Sequence, residues 1–309
     1  MRILLHRADG VTEPWLRGFA AALPQADVIV WQEGAAIAAC DYAVTWAPPA
    51  AMLEHLAHVK AIFVTGAGVD GIMKFADQLP QVPIIRLGDA GMAAQMAEYV
   101  AYAVLRYFRR FDEYEAQARR GIWQPLPQFE KADFSIGVMG AGVLGRRVLA
   151  ALAAFDFPLR GWSRSAKQID GVQCFHGADG LDDFLRGTRV LVCMLPLTPD
   201  TANLLERRRL SLLPQGAYLI NVGRGAHVAE TDLLALVRKG HIAGATLDVF
   251  RSEPLPAPHP FWDEPRISLT PHVAALTLPD VSAAQIAEKI VALERGEAVA
   301  DLVDRHAGY

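Results

Sequence analysis

Short apolar runs alternate along the chain with stretches in which apolar residues recur every three or four positions. The first pattern suits buried parallel strands and the second amphipathic helices, so their alternation predicts an α/β fold. In the first third, strands are expected at residues 3–6, 28–31, 42–46 and 61–65, with helices near 15–23 and 50–58. Pro14, Pro24, Pro48, Pro49, Gly66 and Gly68 fall between these pieces, where turns belong. A second series begins near Phe134, with strands at 134–139, 159–162, 189–195, 217–222, 244–250 and 266–270 and helices at 143–155 and 228–239. Residues 91–120 read as one long helix, because Met92, Met96, Tyr99, Val100, Ala103, Val104 and Tyr107 keep helical spacing. Pro125 and Pro127 make the next segment, with Trp123, a loop. A last helix near 282–295 follows the final strand and is placed to pack on the first series. The expected architecture is two doubly wound parallel-sheet domains with a cleft between them. One is residues 1–97 plus 283–309 and the other is 98–282, inserted into it.

Composition narrows the class. The 309 residues are 52% hydrophobic and 21% charged, a globular balance. Lys and Arg number 30 against 34 Asp and Glu, which argues against a basic nucleic-acid binder. Cys40, Cys174 and Cys193 form no C-x-x-C pair and fit reduced thiols. The start has a three-residue apolar run, too short for a signal peptide. The apolar stretch at 91–105 is interrupted by Gln95 and Glu98 and is no membrane span. A cytoplasmic protein is expected, binding neither nucleic acid nor membrane.

Gly140, Gly142 and Gly145 form G-x-G-x-x-G around Ala141, Val143 and Leu144. The motif alone is weak. Here it follows an expected strand and opens an expected helix, the context a dinucleotide site requires. The first glycine allows the turn, the second lets backbone approach a pyrophosphate, and the third lets helix and strand pack. The helix N-terminus then offers N–H groups to phosphate. The bland alternative is an ordinary strand-to-helix turn. The next strand ends in Ser163, Arg164, Ser165, Ala166 and Lys167, with no acid before Asp170. An NAD site commonly puts Asp or Glu there to hold the ribose hydroxyls. Arg164 and Lys167 instead suit a 2′-phosphate, so NADPH is expected over NADH.

Three further segments each follow a strand: 221–225 with Arg224, 247–254 with Glu253, and 270–275 with His272. Taken jointly with the glycine motif, they resemble the D-isomer-specific 2-hydroxyacid dehydrogenase family, over almost the whole chain. The loop from Thr65 to Asp70 adds to the likeness. Trp46, the turn at 163–165 and the stretch 86–92 are most similar to its glyoxylate/hydroxypyruvate reductase A branch. The resemblance implies a Rossmann-type nucleotide domain inserted in a flavodoxin-like substrate domain. It also implies reduction of small 2-keto acids such as glyoxylate and hydroxypyruvate.

The chemistry suits the residue types. Negative charge grows on the keto oxygen as hydride arrives, so a cation must already face it. Arg224 can hold the carboxylate and keto oxygen together. His272 suits the proton donor, or the base in the oxidative direction. Glu253 suits the partner that orients His272 and favours its charged form. The resemblance also implies that the N–H groups of Ala67 and Gly68 meet substrate, and Trp46, after a strand, is expected to shape the substrate pocket, with capping of the core the alternative. It puts Leu195, Pro196, Val222, Gly223 and Asp248 at the cofactor. A homodimer built on 91–120 and the Trp123 loop follows from the same likeness. Two other readings stay open. One is an NADH-dependent D-2-hydroxyacid dehydrogenase of other substrate range, and the other is a dinucleotide-sensing interaction protein of the same fold.

Other features carry less. His55 and His58 lack the further ligands of a zinc site. His227, three residues after Arg224, could reach the cofactor cleft, but a surface helix start is the expected reading. Met92, Gln95, Met96 and Tyr99 read as helix packing, with Met92 and Gln95 also candidates for cofactor contact. Arg86 reads as a substrate contact or a strand-end charge. The 106–110 run, with Asp112, Glu113 and Glu115 near it, reads as a helix face or subunit contact.

Overall fold

Residues 1–309 are described by a computed structural model, in which the short apolar runs form strands. In chain order these are β1 (Arg2–Arg7), α1 (Glu13–Ala22), β2 (Asp27–Val30), β3 (Tyr42–Trp46), β4 (Ala61–Val64), α2 (Asp70–Met73) and β5 (Ile84–Arg86). Then come α3 (Met92–Phe108), α4 (Phe111–Ala118), β6 (Ile136–Met139), α5 (Val143–Ala153), β7 (Leu159–Ser163) and β8 (Val172–His176). The chain continues through α6 (Leu181–Arg186), β9 (Val190–Cys193), α7 (Arg207–Leu210), β10 (Ala217–Asn221) and α8 (Glu230–Arg238). It ends with β11 (Ile242–Leu247), β12 (Ile267–Leu269) and α9 (Pro279–Glu294). Two units result, Met1–Met92 with Thr277–Tyr309, and Ala93–Leu276.

The first unit holds a five-stranded sheet in the order β2-β1-β3-β4-β5, every pair parallel. Ile3, Leu4, Leu5, Ala43, Val44, Ile62 and Phe63 are buried in it, as strands covered on both faces require. The C-terminal helix returns to this unit. It lies so close to α1 that a Cβ on Gly18 would stand 2.8 Å from the Ala283 Cβ.

The second unit holds seven strands in the order β12-β11-β10-β9-β6-β7-β8, again all parallel. One side buries Val138, Val190, Val192 and Ile220 with Val100 and Val104 of α3 and Val148, Leu149 and Leu152 of α5. The other buries Met139, Leu191, Cys193 and Leu219 with Leu233 and Val237 of α8. Each such side chain contributes about 1.5–3 kcal/mol of burial, and the sheet is thereby a rigid base for the loops at its strand ends.

The expected single helix over 91–120 is two. Arg110 stands in the left-handed region (φ 57°) and separates α3 from α4. Apolar spacing runs across the break, and no Gly or Pro marks it. The expected helix at 50–58 is a 3₁₀ stretch, Ala50–Leu56. No helix is long and apolar enough to cross a membrane.

Candidate active site

Each sheet reverses its strand order once, between β6 and β9 in the second unit and between β1 and β3 in the first. Open α/β sheets bind ligands beyond the carboxyl ends of strands at such points. The glycine turn leaves β6 there. Gly140 takes φ 104°, and a Cβ on it would lie 2.7 Å from the Met194 carbonyl oxygen. A Cβ on Gly145 would lie 2.0 Å from the Gly140 oxygen, so α5 begins directly on the turn. Gly142, by contrast, has no atom within 4 Å of where its Cβ would be. The space over Gly142, exposed Val143 and half-buried Leu144, beside the first N–H groups of α5, suits a pyrophosphate.

The neighbouring strand β7 ends in buried Ser163, whose hydroxyl donates to the Ser165 carbonyl at 2.8 Å. Arg164 and Ser165 are exposed and Lys167 half-buried. The turn therefore presents cations and hydroxyls where a second phosphate on a dinucleotide's ribose would lie. After β9, Leu195 is buried and Pro196 half-buried, and the Pro196 carbonyl accepts from the Thr201 hydroxyl at 2.7 Å.

Beyond β10 the backbone turns on Asn221. Its amide donates to the Arg224 carbonyl at 3.0 Å and accepts from the Gly223 N–H at 3.2 Å. Val222 and Gly223 are buried, and Arg224 is half-buried. The Arg224 N–H donates to Nδ1 of His227 at 3.0 Å. One guanidinium nitrogen donates to the Gly223 carbonyl at 2.8 Å. A Cβ on Gly225 would lie 1.9 Å from the Phe250 carbonyl carbon, so this loop is pressed onto the one after β11.

After β11, Asp248 is 1% exposed. Its carboxylate accepts from the Thr270 hydroxyl at 2.6 Å, the Val273 N–H at 2.8 Å and the Ala274 N–H at 2.9 Å. Its carbonyl accepts from the His272 N–H at 2.8 Å. Asp248, expected at the cofactor, anchors the 270–274 loop from within. Since Thr270 gives its proton to Asp248, the Tyr99 hydroxyl, 2.6 Å away on α3, donates to Thr270. Burial pushes the Tyr99 phenol up to about 12, which keeps it a donor. The anchoring holds His272 at φ 57°, a conformation that costs a non-glycine residue about 1–3 kcal/mol.

The ring of His272 then meets Glu253, Nδ1 to Oε2 at 2.8 Å. The other carboxylate oxygen accepts from the Phe250 N–H at 2.9 Å. Burial raises the Glu253 carboxyl. The His272 hydrogen bond, the Phe250 N–H and the charges of His272 and Arg224 outweigh it and hold the group below the usual carboxylate range. Arg224, Glu253 and His272 are therefore one cluster: a guanidinium, an ionised carboxylate and an imidazole whose Nε2 is left for a ligand. Such a set can bind an anion and move a proton.

In the first unit, β1 and β3 pair so that Arg7 stands beside Trp46. The Arg7 guanidinium lies 5.1 Å from the Trp46 ring centre and 5.3 Å from that of Trp15, and donates to the Thr65 hydroxyl at 2.8 Å. Trp46 is half-buried, as are Ala67 and Gly68 in the loop between β4 and α2. Sequence reasoning passed over Arg7, because one cation at a strand end carries no signal until its neighbours are known.

His227 corrects an expectation. It is 0% exposed and not at the surface. Its ring is drawn inward because the Arg224 N–H and the Pro196 carbonyl, 3.3 Å from Nε2, both require a polar partner. The Met92–Tyr99 stripe packs inward, with Met92 and Met96 buried. Gln95 exchanges two hydrogen bonds with the Leu276 backbone, at 3.0 and 3.1 Å. Arg86 ends β5.

A profile of the family described as D-isomer specific 2-hydroxyacid dehydrogenase, NAD binding domain, matches residues 101–274. The glyoxylate/hydroxypyruvate reductase A of Serratia proteamaculans is 49% identical, with all of both chains covered. A D-isomer specific 2-hydroxyacid dehydrogenase from Xanthobacter autotrophicus Py2, solved in complex with NADPH and MES, is 40% identical. It superposes with a TM-score of 0.95 over 100% of this chain and 99% of that one. The NADPH-dependent glyoxylate/hydroxypyruvate reductase of Sinorhizobium meliloti, solved with NADP and sulfate, is 35% identical. Its TM-score is 0.94, over 100% of this chain and 99% of that one.

Proposed function

The chain belongs to the D-isomer specific 2-hydroxyacid dehydrogenase family, and from that premise we propose that it reduces glyoxylate to glycolate and hydroxypyruvate to D-glycerate with NADPH. The observation that carries the reading is the meeting of Arg224, Glu253 and His272, with Glu253 bonded to His272 at 2.8 Å. The names of the relatives support the substrates, and the NADPH and NADP in the Xanthobacter and Sinorhizobium structures support the cofactor.

Bound NADPH supplies the hydride. Gly140, Gly142, Val143, Leu144 and Gly145 hold its pyrophosphate, and Ser163, Arg164, Ser165 and Lys167 hold its 2′-phosphate. Leu195, Pro196, Val222 and Gly223 border it, and Asp248 keeps the adjoining loop in shape. The Arg224 guanidinium binds the substrate's carboxylate and keto oxygen and stabilises the charge that grows on that oxygen. His272 gives its Nε2 proton to the same oxygen. Glu253 holds Nδ1, which fixes the ring so that Nε2 faces the substrate. In the first unit, Ala67 and Gly68 give N–H groups to the carboxylate, and Trp46, stacked on Arg7, is a substrate contact. That unit is the substrate domain and the other the dinucleotide domain.

Steady-state oxidation of NADPH with glyoxylate and with hydroxypyruvate, with identification of glycolate and D-glycerate, tests the reading. Turnover with NADPH and preference over NADH support it. An absence of turnover with tight NADPH binding would instead favour a dinucleotide sensor. Arg164→Asp is expected to raise the NADPH Michaelis constant about 10- to 100-fold, the loss of a charge-assisted phosphate contact, and to affect NADH far less. An unchanged NADPH constant would remove Arg164 from that role.

The chain also forms a homodimer on this reading. Trp123 is 100% exposed and Ile122 40%, beside α4 with Phe111 at 47%, and an indole is costly to leave in water. Sedimentation at micromolar concentration is expected to give a dimer for the wild type and a shift toward monomer for Trp123→Ser.

A further inference from the structure

The His227 ring is the one imidazole in the second unit with no exposed surface, and both of its nitrogens face backbone groups of active-site loops. Nδ1 accepts from the Arg224 N–H at 3.0 Å, so Nδ1 carries no proton and the ring proton is on Nε2. That nitrogen points at the Pro196 carbonyl, 3.3 Å away. Arg224 itself has extended backbone (φ −141°, ψ 146°), outside any helix or strand. The orientation from which its side chain leaves is therefore set by local bonds. Space for the ring is built in: a Cβ on Gly223 would come within 3.1 Å of Cε1 and Nδ1 of His227. On the far side, the His227 backbone is tied down, its carbonyl accepting from the Leu205 N–H at 2.9 Å.

We propose that His227 is a positioning residue for the reduction: its neutral ring fixes the Arg224 backbone, and with it the direction of the guanidinium, against the loop after β9. This rests on the role assigned to Arg224 above. Because the Pro196 carbonyl also accepts from Thr201, that turn keeps a donor without the ring. The effect of losing His227 therefore falls on the Arg224 side, on turnover of the keto acid more than on NADPH binding.

The test compares His227→Asn, whose carbonyl oxygen replaces the Nδ1 acceptor, with His227→Leu, which replaces it with nothing. His227→Leu is expected to lose about 10²-fold in kcat with hydroxypyruvate, the effect of misplacing a catalytic group by about an ångström. Its NADPH dissociation constant is expected to change less than about threefold, and His227→Asn to recover most of the turnover. In an Arg224→Lys background, His227→Leu is expected to add less than about twofold, since its effect passes through the arginine. Equal losses in Asn and Leu variants, or a full multiplicative loss in the Arg224→Lys background, would overturn the proposal. Failure of the wild type to turn over would count against the reading of the reaction instead. The assignment would still be tested by nitrogen-15 spectra of the His227 ring, where a proton on Nδ1 overturns it and a proton on Nε2 upholds it.

Discussion

Replacing Arg224 with Met is expected to lower kcat/KM for glyoxylate and hydroxypyruvate by about 10²–10³-fold, the loss seen when a donor to a developing oxyanion is removed. The effect is large because two functions are lost at once. On the proposed reading the guanidinium binds the carboxylate of the bound acid, which shows in KM, and faces the oxygen that becomes charged, which shows in kcat. Arg224→Lys keeps charge but not the planar fork, so it is expected to recover part of KM and little of kcat. The NADPH dissociation constant of Arg224→Met should stay near that of the wild type. One guanidinium nitrogen donates to the Gly223 carbonyl, and the Arg224 backbone bonds that shape the loop do not need the side chain. A kcat/KM within about threefold of wild type would take Arg224 out of the reaction.

His272→Asn is expected to lower kcat by about 10²–10⁴-fold, the usual worth of a positioned general acid. The variant's amide can bond Glu253 but supplies no proton to the keto oxygen. The pH profiles separate this from a mere packing loss. His272→Asn is expected to change the pH dependence of turnover in both directions, because its amide has no ring proton to give or take. Glu253 adds a limb on the acid side only. Its carboxyl is held below the usual carboxylate range, so the His272–Glu253 pair is fully present above that range. The pair's support is lost as pH falls through the depressed value. Retained turnover with an unchanged pH profile would remove His272 from proton transfer.

The parts of this molecule legible in its sequence are those where one local rule decides the outcome. The buried runs of β6, β9 and β10 admit few readings other than central parallel strands, and Gly140 and Gly145 stand where backbone geometry demands a glycine, with Gly142 leaving open space over the turn. Two strands, β5 and β8, were not legible. In β8, Val172, Gln173, Cys174, Phe175 and His176 are at best partly buried and give no apolar run, and β5 has three residues. The break at Arg110 was hidden because an arginine took the left-handed conformation usually left to glycine or asparagine. Within the site, strand-end positions of Arg224, Glu253 and His272 could be read from spacing. The support beneath them could not. His227 and Asp248 act through bonds to backbone groups at distant places in the sequence, and Arg7 through rings on two other elements. Such partners leave no periodicity and no motif, because fold closure alone brings them together.

The central claim is that Arg224 and His272 converge on one substrate beside a 2′-phosphorylated dinucleotide. A crystal structure with NADP⁺ and oxamate, an unreactive mimic of a 2-keto acid, tests it most directly. The account predicts the oxamate carboxylate and carbonyl oxygen on the Arg224 guanidinium, that carbonyl oxygen within hydrogen-bond distance of His272 Nε2, and the 2′-phosphate on Arg164. Oxamate bound with neither side chain touching it, or a 2′-phosphate turned away from Arg164 into solvent, would contradict it.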